Sequence, residues 1–309
     1  MTIYPYLNLG PVEKKTPAEL VSILSRIDPD SDLILVGGQA INIWASVYQD
    51  RIPELQQFLP FSSEDLDFVG GKIDAVRVQQ TLGGDLTLNQ NFTPSPNTGV
   101  LVTQAQERNL RIDFLASVFG LGDSEVAASA VRFEGQDKLA GVNLKILNPI
   151  LCLEGKLKAY TGLPQAGRQD KKHLQIALLI VRQYIKDICQ QNQPRDGFKL
   201  IEKIFKVTKS DAGLQVWNRD RLDLLDSIPI ETVNNLADPG WDKFRQIRLP
   251  QAVREIADRR DKYQQIEANL NLRRKSIVEK QNQQQSSSTF SQYLMEEDKS
   301  TAKNEDIER

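Results

Sequence analysis

Between residues 33 and 68 the chain switches twice from a short apolar run to a polar break. Leu33-Ile34-Leu35-Val36 is continuous and apolar and ends in Gly37-Gly38. Such a run reads as a buried strand, and the residues from Gln39 to about Tyr48 as a helix opened by the double glycine. Ser63-Glu64-Asp65-Leu66-Asp67-Phe68 behaves differently, because acidic and apolar residues alternate. In a strand this pattern puts both aspartates on one face and turns Leu66 and Phe68 to the core.

The same reading extends outward. Thr16-Pro17-Ala18-Glu19 predicts a capped helix start, with Leu20, Ile23, Leu24 and Ile27 as its apolar stripe. Residues 50–62, bracketed by Pro53 and Pro60, predict a loop with one short helix, and 72–82 has helical spacing. Short runs at 86–88, 100–103, 110–115, 131–133 and 142–146 have strand character and are separated by turn residues, as in hairpins. Past Pro149 the strands stop. Helical stretches follow at 150–160, 170–190, 198–205, 215–225 and 231–237, with a long one after Pro250. The pattern predicts an α+β fold: a mixed sheet flanked by helices over 1–148, then an all-helical domain over 149–280. Residues 281–309 are rich in Gln, Ser, Glu, Asp and Lys, a composition that predicts a disordered polar tail.

Composition narrows the partners. The chain has 309 residues, 40% hydrophobic and 26% charged, with a net charge of -2, so no global field draws it to nucleic acid. Only two cysteines are present, Cys152 and Cys189, without metal-ligand spacing and without a disulfide framework. No stretch is long and apolar enough for a membrane span, and the N-terminal residues lack the pattern of a signal peptide. The expected setting is the cytoplasm, with no membrane partner.

The chemistry lies in three segments. Glycines at a helix start can seat phosphate on free backbone N–H groups. Closely spaced carboxylates such as Asp65 and Asp67 can hold a divalent ion beside a triphosphate. Asp113, in Leu110-Arg111-Ile112-Asp113-Phe114-Leu115, is a third acid between apolar neighbours, costly to bury unless something binds it. A P-loop is excluded because no Gly-Lys-Ser or Gly-Lys-Thr follows Gly37-Gly38, and a dinucleotide site lacks its third glycine.

Val36-Gly37-Gly38 followed by the acidic strand resembles the signature of the polymerase-β-like nucleotidyltransferase superfamily. Within it the chain is most similar to bacterial AbiEii-type nucleotidyltransferases, many of them toxins of toxin–antitoxin pairs. Lys156-Leu157-Lys158-Ala159-Tyr160 and Arg168-Gln169-Asp170-Lys171-Lys172-His173-Leu174 support the likeness, which covers about residues 30–180. It implies a nucleotidyltransferase-type sheet and Mg²⁺ or Mn²⁺ held by Asp65, Asp67 and Asp113. It further implies triphosphate contacts from Gly37, Gly38 and Lys156 or Lys158, with Asp170 orienting the nucleotide or a basic residue. The implied activity is nucleotidyl transfer from a nucleoside triphosphate to a tRNA or a protein, with a possible antitoxin partner. The chain departs from the pattern at Gln169, where a basic residue is usual, at His173, where an acid is usual, and in the long interval between Gly38 and Asp65. Two other readings stand beside this one: an inactive binding or regulatory module on the same fold, and an antibiotic-type nucleotidyltransferase acting on a small molecule.

Overall fold

The computed structural model describes residues 13–90, 95–191 and 194–305, and the chain divides into two compact units, Met1–Ala252 and Val253–Arg309. The first opens on the predicted cap. Thr16 N and Oγ1 both donate to Glu19 Oε2 at 2.8 Å, and Glu19 N returns a bond to Thr16 Oγ1. The helix behind it is shorter than its apolar stripe suggests. A 3₁₀ turn, Ala18–Leu20, leads into α1, Val21–Leu24, and the chain then closes through i→i+3 bonds at Arg26 and Ile27.

The core of this unit is one mixed sheet. Its strands are β1 (Ile34–Val36), β2 (Asp65–Val69), β3 (Asp85–Leu88), β4 (Asn97–Ala105), β5 (Arg108–Leu115), β6 (Ala130–Glu134) and β7 (Asn143–Leu147). They lie in the order β3-β4-β5-β2-β1-β7-β6. β2 runs antiparallel to β1 and parallel to β5, so the acidic strand is central, with a neighbour bonded on each side. β4 and β5 form a hairpin turned by Gln106 and Glu107, both at positive φ (51° and 62°) although neither is glycine. Such a two-residue turn matches the twist of its strands.

Helices fill the connections. α2 (Gly37–Tyr48) follows β1 directly, and α3 (Lys72–Leu82) follows β2. Between α2 and β2, Pro53–Phe58 is a 3₁₀ helix anchored by the buried Leu55, the short helix expected there. α4 (Asp123–Ser129) has no counterpart in the sequence reading, since a seven-residue helix is too short to show a period. Then come α5 (Pro149–Gly162), α6 (Asp170–Gln190), α7 (Pro194–Thr208), α8 (Asp211–Asp220), α9 (Ile230–Asn235) and α10 (Pro239–Lys243). Asn148, where strands give way to helices, caps α5 by accepting from Leu151 N at 2.9 Å. That changeover lies inside the first unit. The architecture is thus α+β, a mixed sheet followed by a helical region.

α11 (Leu249–Glu305) carries the chain into the second unit. Residues 281–305, read from composition as a disordered tail, are helical here, and 306–309 lie outside the described residues. No helix among the described residues is long and apolar enough to cross a membrane.

Candidate active site

The acidic strand keeps its alternation in three dimensions. Leu66 and Phe68 are fully buried, and Phe68 stacks on Phe114 of β5 with centroids 6.4 Å apart. This pins the register: Asp67 lies opposite Asp113 and Asp65 opposite Arg111. A one-residue slip would bury the acids and expose the aromatics, so the aromatic packing fixes the acids as well. Asp65, Asp67 and Asp113 therefore share one face of two adjacent strands.

Their electrostatics show the strain of that arrangement. Burial, reinforced by Asp113 and then Asp65, pushes the Asp67 carboxyl up to about 7. Asp65 is raised by burial and by Asp113, and Asp113 by its own burial. Asp113 has partial relief, since Oδ1 accepts from Arg111 Nε at 3.1 Å and Nη2 at 3.0 Å, with Asn97 Nδ2 at 3.5 Å. Arg111 is the residue the sequence reading passed over. Its signal was present as Arg-x-Asp in a strand, which puts both side chains on one face.

The glycines meet this face from the side. Val36 pairs with Asp67 in the β1–β2 register, and Gly37 (φ +70°) turns the chain into α2. A Cβ on Gly37 would collide with Asp67 Oδ2. Gly37 is thus required both for its left-handed backbone and for the close approach of the carboxylate. Gly38 faces elsewhere: a Cβ there would lie 2.6 Å from Ser63 Oγ and 2.8 Å from His173 Cε1.

α5 covers the acidic face and leaves a cleft of about 160 Å³, whose lining includes Gly37, Asp67, Phe119, Cys152, Lys156 and Arg168. Cys152 is no nucleophile there, because burial pushes its thiol up to about 12 and its Sγ bonds to Leu147 O. Lys156 Nζ reaches Asp170 Oδ1 at 2.8 Å, and Arg168 Nε reaches Asp170 Oδ2 at 2.5 Å. Burial alone would raise the Asp170 carboxyl, but Lys156 and Arg168 more than offset this and leave it below the usual range. Lys158 points away from the cleft, to Gly120 O at 2.8 Å and Glu154 at 2.6 Å. Of the residues singled out from sequence, Gly37, Asp67 and Lys156 line the cleft. Asp65 and Asp113 flank it on the sheet, and Asp170 positions Lys156.

A scan of protein-family models and a search of curated proteins both find no match to this chain. Among solved structures, one titled "Crystal structure of JHP933 from Helicobacter pylori" is similar over 76% of this chain and 95% of that one. The identity is 14% and the TM-score 0.30, a level at which the likeness says nothing about fold or function.

The donor set suits a hard divalent cation: three carboxylates on one face, Asp65 and Asp67 raised by burial and by neighbouring acids, Asp113 by burial. Yet among the described residues no three acids, histidines or cysteines are already gathered as a metal site. Arg111 supplies the positive charge that Asp113 would otherwise lack. The residues fit the ion by chemistry.

Proposed function

We propose that this protein is a metal-dependent nucleotidyltransferase. One observation carries the reading: Asp67 stands in register with Asp113 while its carboxylate rests against the glycine that opens α2. Acids and phosphate-seating backbone thus meet at one point. Asp65, Asp67 and Asp113 would hold Mg²⁺ or Mn²⁺, which would screen the phosphates and polarise the acceptor hydroxyl. The start of α2 receives phosphate oxygens on its leading N–H groups. Lys156, aimed into the cleft and steadied by Asp170, faces the same charge. Asp113, held above the usual carboxylate range by burial, is suited to accept the proton of the acceptor hydroxyl. That oxygen bonds to the α-phosphorus as the bond to pyrophosphate breaks. The acceptor class, a tRNA or a protein, and a role as the toxin of a toxin–antitoxin pair rest on the sequence resemblance.

The Arg111–Asp113 pair favours a second reading, a binding module on the same fold in which the arginine substitutes for the ion. Incubation of the protein with Mg²⁺, each labelled nucleoside triphosphate and total tRNA or cell lysate separates the two. Label on an acceptor that disappears in Asp65→Ala/Asp67→Ala supports the enzyme. Metal-independent nucleotide binding without transfer supports the module, and neither transfer nor binding sinks both.

A further inference from the structure

Phe119 follows Asp113 by six residues, in the turn that leaves β5, and the transfer chemistry above gives it no role. Among the described residues it is the one exposed aromatic side chain, with half its surface open. A lone exposed ring on a surface loop needs no explanation. This one lines the cleft that also holds Gly37, Asp67, Lys156 and Arg168. A few polar groups converging beside an open apolar surface are the usual make-up of a small-molecule site.

The ring is held in place. Leu121 N donates to Val118 O at 3.0 Å and closes a turn with Phe119 at its tip. Gly120 takes a positive φ of 75°, as the third residue of a type II turn must. Behind the turn stands α5. A Cβ on Gly162 would lie 2.9 Å from Phe119 Cε1 and 3.0 Å from Cζ, so the ring rests on helix backbone that glycine leaves bare. Lys158, one turn earlier on α5, donates from Nζ to Gly120 O at 2.8 Å, and its stem lies against Gly120. The lysine that turns away from the cleft thus fixes the turn that carries the ring.

Polarity divides the cleft. Gly37, Asp67 and Lys156 supply its charged and phosphate-seating part, whereas Val118, Ala159 and Leu163, beside the ring in sequence or along α5, are apolar. Lys156 and Gly162, the support of the ring, are six residues apart on α5, roughly 9 Å along the axis. That separation leaves room for a ribose between a bound phosphate and a base. Every base has a π-face, so stacking on a phenyl ring gives affinity without reading which base it is.

We infer that Phe119 is the platform on which the nucleobase of the substrate stacks, and that Lys158 positions it through Gly120. The inference rests on the nucleotidyltransferase reading and adds the half of the nucleotide that metal and phosphate contacts leave unaddressed.

Calorimetry in Mg²⁺, with each of the four ribonucleoside triphosphates and with inorganic tripolyphosphate, tests it. Phe119→Ala is expected to weaken every nucleoside triphosphate that the parent binds by at least about 5-fold and to leave tripolyphosphate within about 2-fold. Phe119→Trp, which restores a ring, should match the parent on both probes to within about 3-fold. Lys158→Met keeps the stem and loses the bond to Gly120, so it should act as Phe119→Ala does, more weakly. Stacking also quenches a fluorescent base: 2-aminopurine riboside triphosphate should dim on the parent and on Phe119→Trp, and stay bright on Phe119→Ala. The ring is half exposed, so its removal opens no core cavity, and equal melting temperatures check that. If Phe119→Ala binds nucleoside triphosphates like the parent, or loses tripolyphosphate equally, the inference falls while the enzyme reading stands. If Lys158→Met loses tripolyphosphate, or changes nothing, Lys158 does not position the ring. If the parent binds no nucleotide with Mg²⁺, the enzyme reading falls too.

Discussion

Two sets of carboxylates flank the start of α2, and they are built on opposite principles. Asp170 is 2% exposed yet answered twice, by Lys156 at 2.8 Å and Arg168 at 2.5 Å, and its carboxyl falls below the usual range. Asp67 has two acids for neighbours and no cation bonded to it in this structure, and it rises to about 7. The first set stabilises the fold. The second detracts from it, as expected of groups waiting for a charged partner. Burial acts on both alike, so the difference comes from company: a basic residue two positions before Asp170 and another one helix away, against acids on adjacent strands.

The largest expected effect breaks the second set. Asp65→Ala/Asp67→Ala is expected to lower nucleotidyl transfer by at least ~10³-fold, the order seen when charge-stabilising groups are removed from a reacting site. Circular dichroism and melting should show an intact fold. Retention of transfer in that variant would move the catalytic centre elsewhere.

Next comes the first set. Asp170→Ala leaves Lys156 facing Arg168 without the charge that holds them together, and is expected to cost about 2–3 kcal/mol in denaturant unfolding. The sign with pH follows from a lowered carboxyl. Its contribution is fully present above the ordinary aspartate value near 4 and is lost as pH falls through the still lower folded value. The gap between parent and Asp170→Ala should therefore be flat from pH 5 to 8 and narrow only below about 4. A gap that widened in acid would exclude the ion-pair account.

Asp67→Asn should act in the opposite direction. A raised carboxyl binds its proton more tightly in the folded chain, so its stabilising share is complete below the unfolded value of 3.8. That share is lost as pH climbs through the folded value of about 7. The amide keeps the shape and removes the charge. The variant is expected to be more stable than the parent by on the order of 1–3 kcal/mol at pH 8, since the residue's partial solvent access tempers the effect, and to match it at pH 4. Melts of both proteins across that range check it. A variant less stable than its parent at pH 8 would mean that Asp67 is already compensated. This gain should accompany the loss of transfer, the usual exchange of stability for activity at a strained site.

Much of this was legible in the chain. Alternation in 63–68 gave the acidic strand, its buried Leu66 and Phe68 and the shared face of Asp65 and Asp67, and 110–115 read as a strand with Asp113 between apolar neighbours, while the common face of all three acids needed the β2–β5 register. The Thr16–Glu19 cap was legible for the same reason: each is a local rule carried by neighbouring residues. What stayed hidden depends on contacts across the chain. That Lys156 enters the cleft while Lys158 turns to Gly120 and Glu154 is a matter of where α5 packs, and two lysines two positions apart look alike in sequence. The pairing of Arg111 with Asp113 was only half hidden, since its spacing was visible but its partner was not. His173 read as a departure at a position where an acid is usual, and its burial with unpaired ring nitrogens emerges only once α6 is laid against the start of α2.

The smallest effect is also the sharpest test of how glycine and acid meet. Gly37→Ala carries two penalties: a φ of +70° that a side chain resists, and a Cβ driven into Asp67 Oδ2. Left-handed backbone costs of order 1–2 kcal/mol for a residue with a Cβ, and that part is independent of position 67. The collision is not. In an Asp67→Ala background the carboxylate is gone, so the same Gly37→Ala change should cost less by about 1 kcal/mol, read as the coupling in a double-mutant cycle. The same cycle with Leu66→Ala in place of Asp67→Ala should show no such relief, because Leu66 faces the opposite side of the sheet. Additive costs at positions 37 and 67 would separate the glycine from the acid and remove the contact on which the proposed reaction centre is built.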